Sequence, residues 1–273
     1  LPSLTLLTVV YLYPLGDLVR TSLYDAHTLS GLKGFVGIAN YRQIMSAEFL
    51  DVLWKTLVWV GISTPAAMLV GMAGALLLNH EFRGRNFLEV LAFVPWTIPH
   101  AMIAVFWRFL IHPYYGMANH FLLSLGWIAE PVNFLTVQSA MFTATRMRVW
   151  KGAPFALITL LAALQTIPLE LYEAARVDGA NARQRFWAVT FPSIRPVVIV
   201  TVLLSSIWTA NSFENVWLLT QGGPYNTTHV FGTCAYHTGI NAGDLGQGAA
   251  ITLFMFPLLA VFGAAMLFFH PHE

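Results

Sequence analysis

The amino-acid sequence predicts an all-α polytopic membrane protein with six visible transmembrane helices and a further helix at the cytoplasmic surface. Hydrophobic residues make up 57% of the 273 residues and charged residues only 10%. A soluble domain carries roughly a quarter charged residues, so lipid must solvate much of this surface. Six apolar stretches reach the roughly 20 residues that cross a bilayer as a helix. The period-two alternation typical of membrane strands is absent.

The predicted spans form one transmembrane domain over residues 1–273. Their approximate ranges are 2–22, 53–79, 88–111, 136–166, 195–219 and 247–270. Pro95 and Pro99 predict a break in the third span, since proline removes a helical hydrogen bond. The chain begins with Leu1 rather than Met, and we therefore expect an N-terminal tail to precede it.

The charge and cysteine content exclude several classes of function. A formal net charge of +1 argues against a nucleic-acid partner. A single cysteine, Cys234, excludes an internal disulfide framework and a cysteine-based zinc site. His270 and His272 lie two residues apart with no third ligand nearby, so no metal site is expected there. A phosphate-binding loop with the Gly-x-x-x-x-Gly-Lys-Ser/Thr pattern is also missing from the sequence.

The distribution of Lys and Arg predicts that the N-terminus is cytoplasmic. Loops 80–87 and 167–194 contain several arginines, whereas loops 112–135 and 220–246 contain no Lys or Arg. Under the positive-inside rule the first pair is cytoplasmic and the second pair faces outward. Loop 23–52 contains two basic residues although alternation places it outside, but the balance over all loops still favours this orientation.

The cytoplasmic loop 167–194 contains its own predicted helix, over residues 169–181. Pro168 ends the fourth span, and Glu170 and Glu173 occupy the first turns, where carboxylates stabilise the positive end of a helix. Gly179 is suited to a C-terminal break. A short helix joined at both ends to membrane spans can transmit a movement between a cytoplasmic partner and the membrane. The alternative is an amphipathic helix that only lies on the membrane surface.

Several short motifs resemble those of one family. Glu173-Ala174-Ala175, Gly179, Val189 and Phe191-Pro192 follow the pattern Glu-Ala-Ala, three residues, Gly, nine residues, Ile, one residue, Leu-Pro, with Val for Ile and Phe for Leu. The other segments are Val149 to Phe155, Leu164 to Pro168, Asp178 to Ala180, Leu219 to Pro224, and Phe35 to Gly37 with Asn40-Tyr41. Over residues 10–268 the chain therefore resembles permease subunits of binding-protein-dependent ABC importers, in the carbohydrate branch.

The resemblance implies a role and a set of partners. The chain would be a permease subunit that imports a sugar or oligosaccharide by alternating access across a bacterial or archaeal cytoplasmic membrane. Its expected partners are membrane lipid, a second related permease subunit, two ATPase subunits and an extracytoplasmic substrate-binding protein. ATP and Mg would be bound by the ATPase subunits, and no cofactor by this chain, which is not expected to be an enzyme. The resemblance assigns coupling to the ATPase to Glu173, Ala174, Ala175, Arg176, Asp178 and Gly179.

The candidate substrate-binding residues lie in the fourth and fifth spans. Ser205, Trp208, Thr209 and Ser212 are spaced i, i+3, i+4 and i+7, which places them on one face of a helix. Sugar rings stack on aromatic faces and their hydroxyls need hydrogen-bond partners, and the resemblance places a sugar against this face. It also indicates Lys151, Gly152 and Phe155. The alternative for the small hydroxyl residues is helix–helix packing.

The sequence is also compatible with other interpretations. The cargo of the same mechanism is alternatively a polyol or a glycerophosphate compound. A secondary transporter or channel would need no ATPase and usually contains an internal repeat, which we do not detect. A membrane-embedded enzyme would need paired carboxylates or a metal cluster, and neither is apparent. Arg146 and Arg148 are interpreted as structural partners of Glu214 or as vestibule lining, in preference to sugar ligands.

Overall fold

The structure is a computed structural model that describes the backbone of residues 2–269. The side chains of residues 2–4, 47, 258, 259, 262 and 265–269 are outside this description, as are His270, His272 and the predicted end of the sixth span. The chain divides into two compact units, which are described separately. The first contains residues 1–59, 135–141 and 210–261, and the second contains residues 60–134, 142–209 and 262–273.

Helices form nearly all of the regular structure. The elements of the first half are α1 (Pro2–Leu7), a π-helical turn (Thr8–Leu12), α2 (Tyr13–Ser22), β1 (Tyr24–His27), β2 (Gly31–Phe35), α3 (Ala39–Ile44), α4 (Ala47–Leu78), α5 (Arg85–Thr97), α6 (His100–Leu110) and α7 (Met117–Ser124). Those of the second half are α8 (Ala140–Gln165), α9 (Leu169–Val177), α10 (Ala182–Arg185), a π-helical turn (Phe186–Thr190), α11 (Phe191–Ala210), α12 (Phe213–Thr220), α13 (Phe231–Tyr236), a π-helical turn (His237–Asn241) and α14 (Leu245–Phe269).

The first unit contains the only strands among residues 2–269, an antiparallel pair. The amide of Asn40 fixes the entry to this hairpin, because its Nδ2 donates to the carbonyls of Ser22 and Tyr24 at 2.8 and 2.9 Å. The interior of the unit is aromatic. The Phe49 ring packs edge-on against the rings of Phe231 and Phe254, with centroids 5.5 and 5.0 Å apart, an arrangement that aromatic pairs favour.

The second unit has its core between α4, α8 and α11. Buried residues of all three helices form one apolar cluster that includes Ala75, Ala156, Leu160 and Ile194. The contact between α4 and α8 depends on glycine. A Cβ placed on Gly71 would lie only 2.6 Å from the Cβ of Ala156, so the two backbones approach too closely for any side chain. Small residues at such contacts are typical of helices packed in a membrane.

The apolar side chains on the outside of these helices fit a membrane protein. On α4, Leu69, Val70 and Leu77 are between 55% and 72% exposed, although the opposite face of the helix is buried. Aliphatic groups in that position would be unfavourable in water and favourable in lipid. The all-α membrane architecture predicted from composition is therefore confirmed.

The predicted count of six spans is not confirmed. Among the described residues, three helices are long and apolar enough to cross a membrane, within Glu48–Leu78, Ala140–Gln165 and Ala182–Ala210. The pair Arg85–Thr97 and His100–Leu110 would make a fourth if it is counted as one span. The predicted first span is helical over residues 2–22 in three consecutive elements, and the predicted sixth span is helical over Leu245–Phe269, of which Leu245–Pro257 is a shorter apolar helix within the described residues.

Two predicted spans are interrupted. The third bends by 98° between α5 and α6, where Ile98 is extended (φ −72°, ψ 132°) because it precedes Pro99. The break predicted from the prolines is thus confirmed. The predicted fifth span, 195–219, was wrong as a continuous helix. Helix α11 starts before residue 195 and ends at Ala210. Ser212 has non-helical angles, φ −79° and ψ 68°, and the next helix, α12, starts at Phe213.

Candidate coupling segment and transport site

The helix of the cytoplasmic loop, α9, ends four residues earlier than the sequence predicts. It covers Leu169–Val177 rather than residues 169–181. Gly179 adopts φ +79°, and the N–H groups of Gly179 and Ala180 donate to the carbonyls of Arg176 and Ala175 at 3.0 and 2.9 Å. This is a glycine-dependent C-terminal stop. The glycine that the family motif requires therefore has a backbone function of its own.

The helix α9 is fixed to the start of the next membrane helix. Asn181 and Gln184 form a reciprocal capping box, with bonds of 2.8 and 3.0 Å, that begins α10. Arg185 Nη1 donates to the carbonyl of Ala180 at 3.0 Å. The hydroxyl of Tyr172 lies 3.0 Å from that of Thr190. One hydrogen bond thus joins α9 directly to the helical run of residues 182–210, and the other contacts fix the short connection after α9, so a movement of α9 is transmitted to that run.

The surface of α9 that carries the family motif is open. Glu173, Ala174, Arg176, Asp178 and Gly179 are all exposed, and Ala175 is half-buried. Apolar side chains accompany them, because Leu169 is 73% and Val177 89% exposed. Charged, small and apolar groups together on an exposed helix are suited to a protein partner, since burial of the apolar groups favours association and the charges specify it.

The predicted substrate-binding residues come together at one aromatic pair. Phe155 of α8 packs against Trp208 of α11, with ring centroids 4.9 Å apart and planes at 62°. Phe155 is half-buried, whereas the indole of Trp208 is 45% exposed. The indole is therefore held by a neighbouring ring while much of its surface stays open, as a stacking platform for a ring-shaped cargo requires.

The hydroxyl groups predicted beside Trp208 are less open. Ser205 and Thr209 are buried, and Thr209 Oγ1 donates to the Ser205 carbonyl at 2.6 Å, a bond that turns the hydroxyl back onto its own helix. Ser212 does not share the face, because α11 ends at Ala210. Its hydroxyl lies 3.4 Å from Trp59 Nε1. Of the four residues predicted to share one helix face, only Ser205, Trp208 and Thr209 lie on the same helix.

Lys151 has a structural role that the sequence did not reveal. Its ammonium group donates to the carbonyls of Trp96 and Ile98 at 3.2 and 2.7 Å. These carbonyls are left without helical partners by the bend before Pro99, and a cation stabilises such a C-terminal end. The sequence feature that indicated free carbonyls at this bend was the pair Pro95 and Pro99. A contact between Lys151 and cargo stays a prediction, as does one with Gly152.

The outer loop after α12 is tightly structured. Gln221, Tyr225 and Asn226 all adopt positive φ, between 49° and 60°, and Lys55 Nζ donates to the carbonyl of Asn226 at 2.8 Å. The backbone at Tyr225 is therefore fixed, whereas its side chain is 90% exposed. Backbone strain of this kind persists only where the surroundings impose it, and it is frequent at functional sites.

His229 lies near the end of this loop, and its imidazole ring is buried. It borders a cavity of about 750 Å³ that Glu48, Asp51 and Lys55 also line. Burial, with smaller contributions from His237 and Lys55, lowers the pKa of His229 to about 4. The ring is therefore neutral at physiological pH.

Comparison with known proteins identifies close relatives over nearly the whole chain. Residues 63–272 match the family model described as "Binding-protein-dependent transport system inner membrane component". The trehalose/maltose transport system permease protein MalF of Thermococcus litoralis is 36% identical over 264 residues, which cover 96% of this chain and 88% of that protein. The sulfoquinovosyl glycerol transport system permease protein SmoG of Agrobacterium fabrum is 31% identical over 260 residues, covering 94% and 84%.

A solved structure supports the same fold. A chain of a bacterial ABC transporter involved in the import of the acidic polysaccharide alginate superimposes with a TM-score of 0.84 at 24% identity, covering 98% of this chain and 91% of that chain. The motifs, the helical architecture and the extent of the family match agree with one another. The chain belongs to the family of inner membrane components of binding-protein-dependent transport systems.

Proposed function

We propose that this chain is one of two related permease subunits in an importer that moves a sugar or oligosaccharide inward by alternating access. Two ATPase subunits bind ATP and Mg on the cytoplasmic side and hydrolyse the nucleotide. An extracytoplasmic binding protein delivers the cargo to the outer loops. The chain itself performs no chemistry and acts as a single transmembrane domain, and its moving part is α9.

The observation that carries this proposal is the geometry of α9. Its exposed surface presents Glu173 and Arg176, followed by Asp178, beside apolar groups. The hydrogen bond of Tyr172 to Thr190 joins α9 to the membrane-spanning helical run of residues 182–210, and the bond of Arg185 to Ala180 fixes the turn that follows α9 to the same run. An element that is open on one side and rigidly connected on the other can convert closure of the ATPase subunits into rotation of the membrane helices.

The cargo class is supported by the ring pair Phe155 and Trp208. An exposed indole supported by a second aromatic ring offers the flat apolar face that a sugar ring needs. Trehalose and maltose, the cargoes named for the Thermococcus litoralis relative, are sugars of this kind. The name of the Agrobacterium fabrum relative includes a glycerol compound, which favours a polyol or glycerophosphate derivative as the second candidate.

The outer partner is expected to contact the loop that contains Tyr225. Tyrosine and tryptophan are enriched in protein interfaces, and Tyr225 is both fixed by strained backbone and almost fully exposed. One solved relative is an alginate transporter in complex with a pentasaccharide-bound periplasmic protein. A binding protein that docks on loop 220–246 would place its cargo above the transport pathway.

Charge reversal at Glu173 tests the coupling role. Glu173→Lys in the reconstituted importer should reduce ATP-dependent cargo uptake by about tenfold or more, because it places a cation where the docking surface requires an anion. Glu81→Lys is the matched control, since Glu81 is exposed in the other cytoplasmic loop. Equal uptake by both variants and the parent protein would refute coupling through α9.

A pair of glycines provides a second test with matched backbone strain. Gly179 and Gly84 both have positive φ, +79° and +91°, and a Cβ on either would meet no atom within 4 Å. Gly179→Trp and Gly84→Trp therefore introduce similar strain. Only Gly179→Trp should abolish cargo-stimulated ATP hydrolysis.

A separate measurement tests the alternative mechanism. Uptake of cargo by the parent protein without ATPase subunits would indicate a secondary transporter.

A further inference from the structure

Arg148 is a buried charged residue of a membrane helix, and among residues 2–269 it forms no salt bridge with a carboxylate. It lies in α8, and only 9% of its surface is exposed. Its Nε is buried and has no hydrogen-bond partner. The salt bridges among residues 2–269 join other pairs, Asp25 with His27 and Asp51 with Lys55. A buried guanidinium left in this condition is costly, and such residues in membrane proteins generally mark a pathway or a ligand.

The surroundings of Arg148 are electropositive. Helix α8 contains Arg146, Arg148 and Lys151 but no Asp or Glu. Lys151 is also buried, and its ammonium is bonded to two carbonyls that carry no charge. Arg146 lies over the ring of Phe142, 4.3 Å from the centroid, which is a neutral partner as well. None of the three cations is neutralised by a carboxylate in the described part of the chain.

Polar groups on the neighbouring helix add hydrogen-bond donors. Helices α4 and α8 run side by side in parallel, since the Cβ positions of Gly71 and Gly152 lie next to Ala156 and Ala67 respectively. Continuing this register by one turn brings Ser63 opposite Arg148. The hydroxyl oxygens of Ser63 and Thr64 are buried without partners. A guanidinium can only donate, so the group that pairs with Arg148 must be an acceptor, and the Ser63 hydroxyl can donate to the same group.

Arg148 is also aligned with the proposed cargo platform. Arg148, Gly152 and Phe155 are spaced i, i+4 and i+7 and therefore share one face of α8. The guanidinium extends towards Gly152, because a Cβ at that glycine would collide with Arg148 Nη1. Gly152 thus provides the space in which the charged group lies. Phe155, which supports Trp208, follows about 10 Å from Arg148 along the helix axis.

We propose that Arg148 recognises an anionic group of the cargo, so that the imported compound is an acidic sugar or polyol derivative with a carboxylate, phosphate or sulfonate. This inference rests on the proposed function and specifies its substrate class. The ring of the cargo stacks on Trp208, and its anionic oxygens accept hydrogen bonds from the Arg148 guanidinium. Arginine binds such groups with two parallel bonds, which combine charge with a defined orientation. The hydroxyl of Ser63 supplies a further donor.

The experiment uses the complete importer in proteoliposomes, together with its binding protein. Uptake is measured for matched neutral and acidic probes: glucose with glucuronate and glucose 6-phosphate, maltose with maltobionate, and glycerol with glycerol 3-phosphate. The variants are Arg148→Gln and Arg148→Lys. Arg146→Gln is the control. Arg146 lies two residues before Arg148 and is exposed, so this substitution removes the same charge outside the buried site. Assembly of each variant is measured by size-exclusion chromatography.

We expect the parent protein to import an acidic probe at least about tenfold faster than its neutral counterpart. Arg148→Gln should remove that preference, Arg148→Lys should retain part of it, and Arg146→Gln should preserve it. Import of a neutral probe as fast as its acidic counterpart would overturn the inference and leave the proposed function intact. The same holds if Arg148→Gln keeps the preference, or if it separates the subunits, which would show that a partner's carboxylate pairs with Arg148. Import of no probe by the parent protein would overturn both proposals.

Discussion

The hydroxyl oxygens of Tyr172 and Thr190 lie 3.0 Å apart and join the helix α9 to the base of α11. We expect Tyr172→Phe to reduce cargo-stimulated ATP hydrolysis severalfold, because one neutral hydrogen bond contributes about 1 kcal/mol. Thr190→Val should have the same effect. The double variant should be no worse than Thr190→Val alone, since both substitutions remove the bond between the two hydroxyls. Additive effects in this double-mutant cycle of ATPase assays would show that the two hydroxyls act separately.

The exposed indole of Trp208 is expected to contribute to cargo affinity. Trp208→Ala should raise the cargo concentration for half-maximal uptake by about tenfold or more, because stacking on an aromatic face is lost. Trp208→Phe should restore part of the affinity. Trp54→Ala is the control, as Trp54 is 65% exposed on α4. An unchanged titration curve for Trp208→Ala in the uptake assay would remove Trp208 from the site.

Two glycines of α4 should respond differently to a methyl group. Gly71→Ala should lower the thermal unfolding temperature of the purified protein, because its Cβ would lie 2.6 Å from that of Ala156 and overpacking costs about 1–3 kcal/mol. Gly61→Ala should be neutral or slightly stabilising, since a Cβ there meets no atom within 4 Å and alanine favours the helix. Equal unfolding temperatures for the two variants would contradict the close contact between α4 and α8.

His229 makes stability depend on pH in the acidic range. Its pKa is lowered to about 4 in the folded protein, against about 6.5 when unfolded. Between pH 6.5 and about 4, His229 is therefore protonated in the unfolded chain and neutral in the folded protein. Stability should be greatest above pH 6.5 and should fall as the pH decreases towards 4. The total loss is of the order of 3 kcal/mol.

Thermal unfolding between pH 7.5 and 4.5 checks this dependence. His229→Gln should flatten the decrease in unfolding temperature, because glutamine does not titrate. His112→Gln, a change of the same kind in loop 112–135, is the control for the substitution itself. A parent profile that His229→Gln does not alter would assign the acid sensitivity to other groups.

The sequence by itself determined the membrane environment and the coupling segment. Apolar content and span length decide whether lipid or water must solvate a helix, and both are local properties. The spacing from Glu173 to Pro192 is likewise contained in one stretch of chain. Proline at position 99 predicted the break of the third span because its effect on the preceding residue is local too.

Tertiary structure decided which polar groups are available. Spacing placed Ser212 beside Trp208, but the helix ends before it. Lys151 looked like a ligand, and the bend at Ile98 gives it two carbonyl partners that lie about 50 residues away in sequence. Arg148 was interpreted as a structural residue, but its buried Nε has no hydrogen-bond partner in the described part of the chain. Whether a charge is paired depends on which helices become neighbours, and that choice is made by packing across the whole unit.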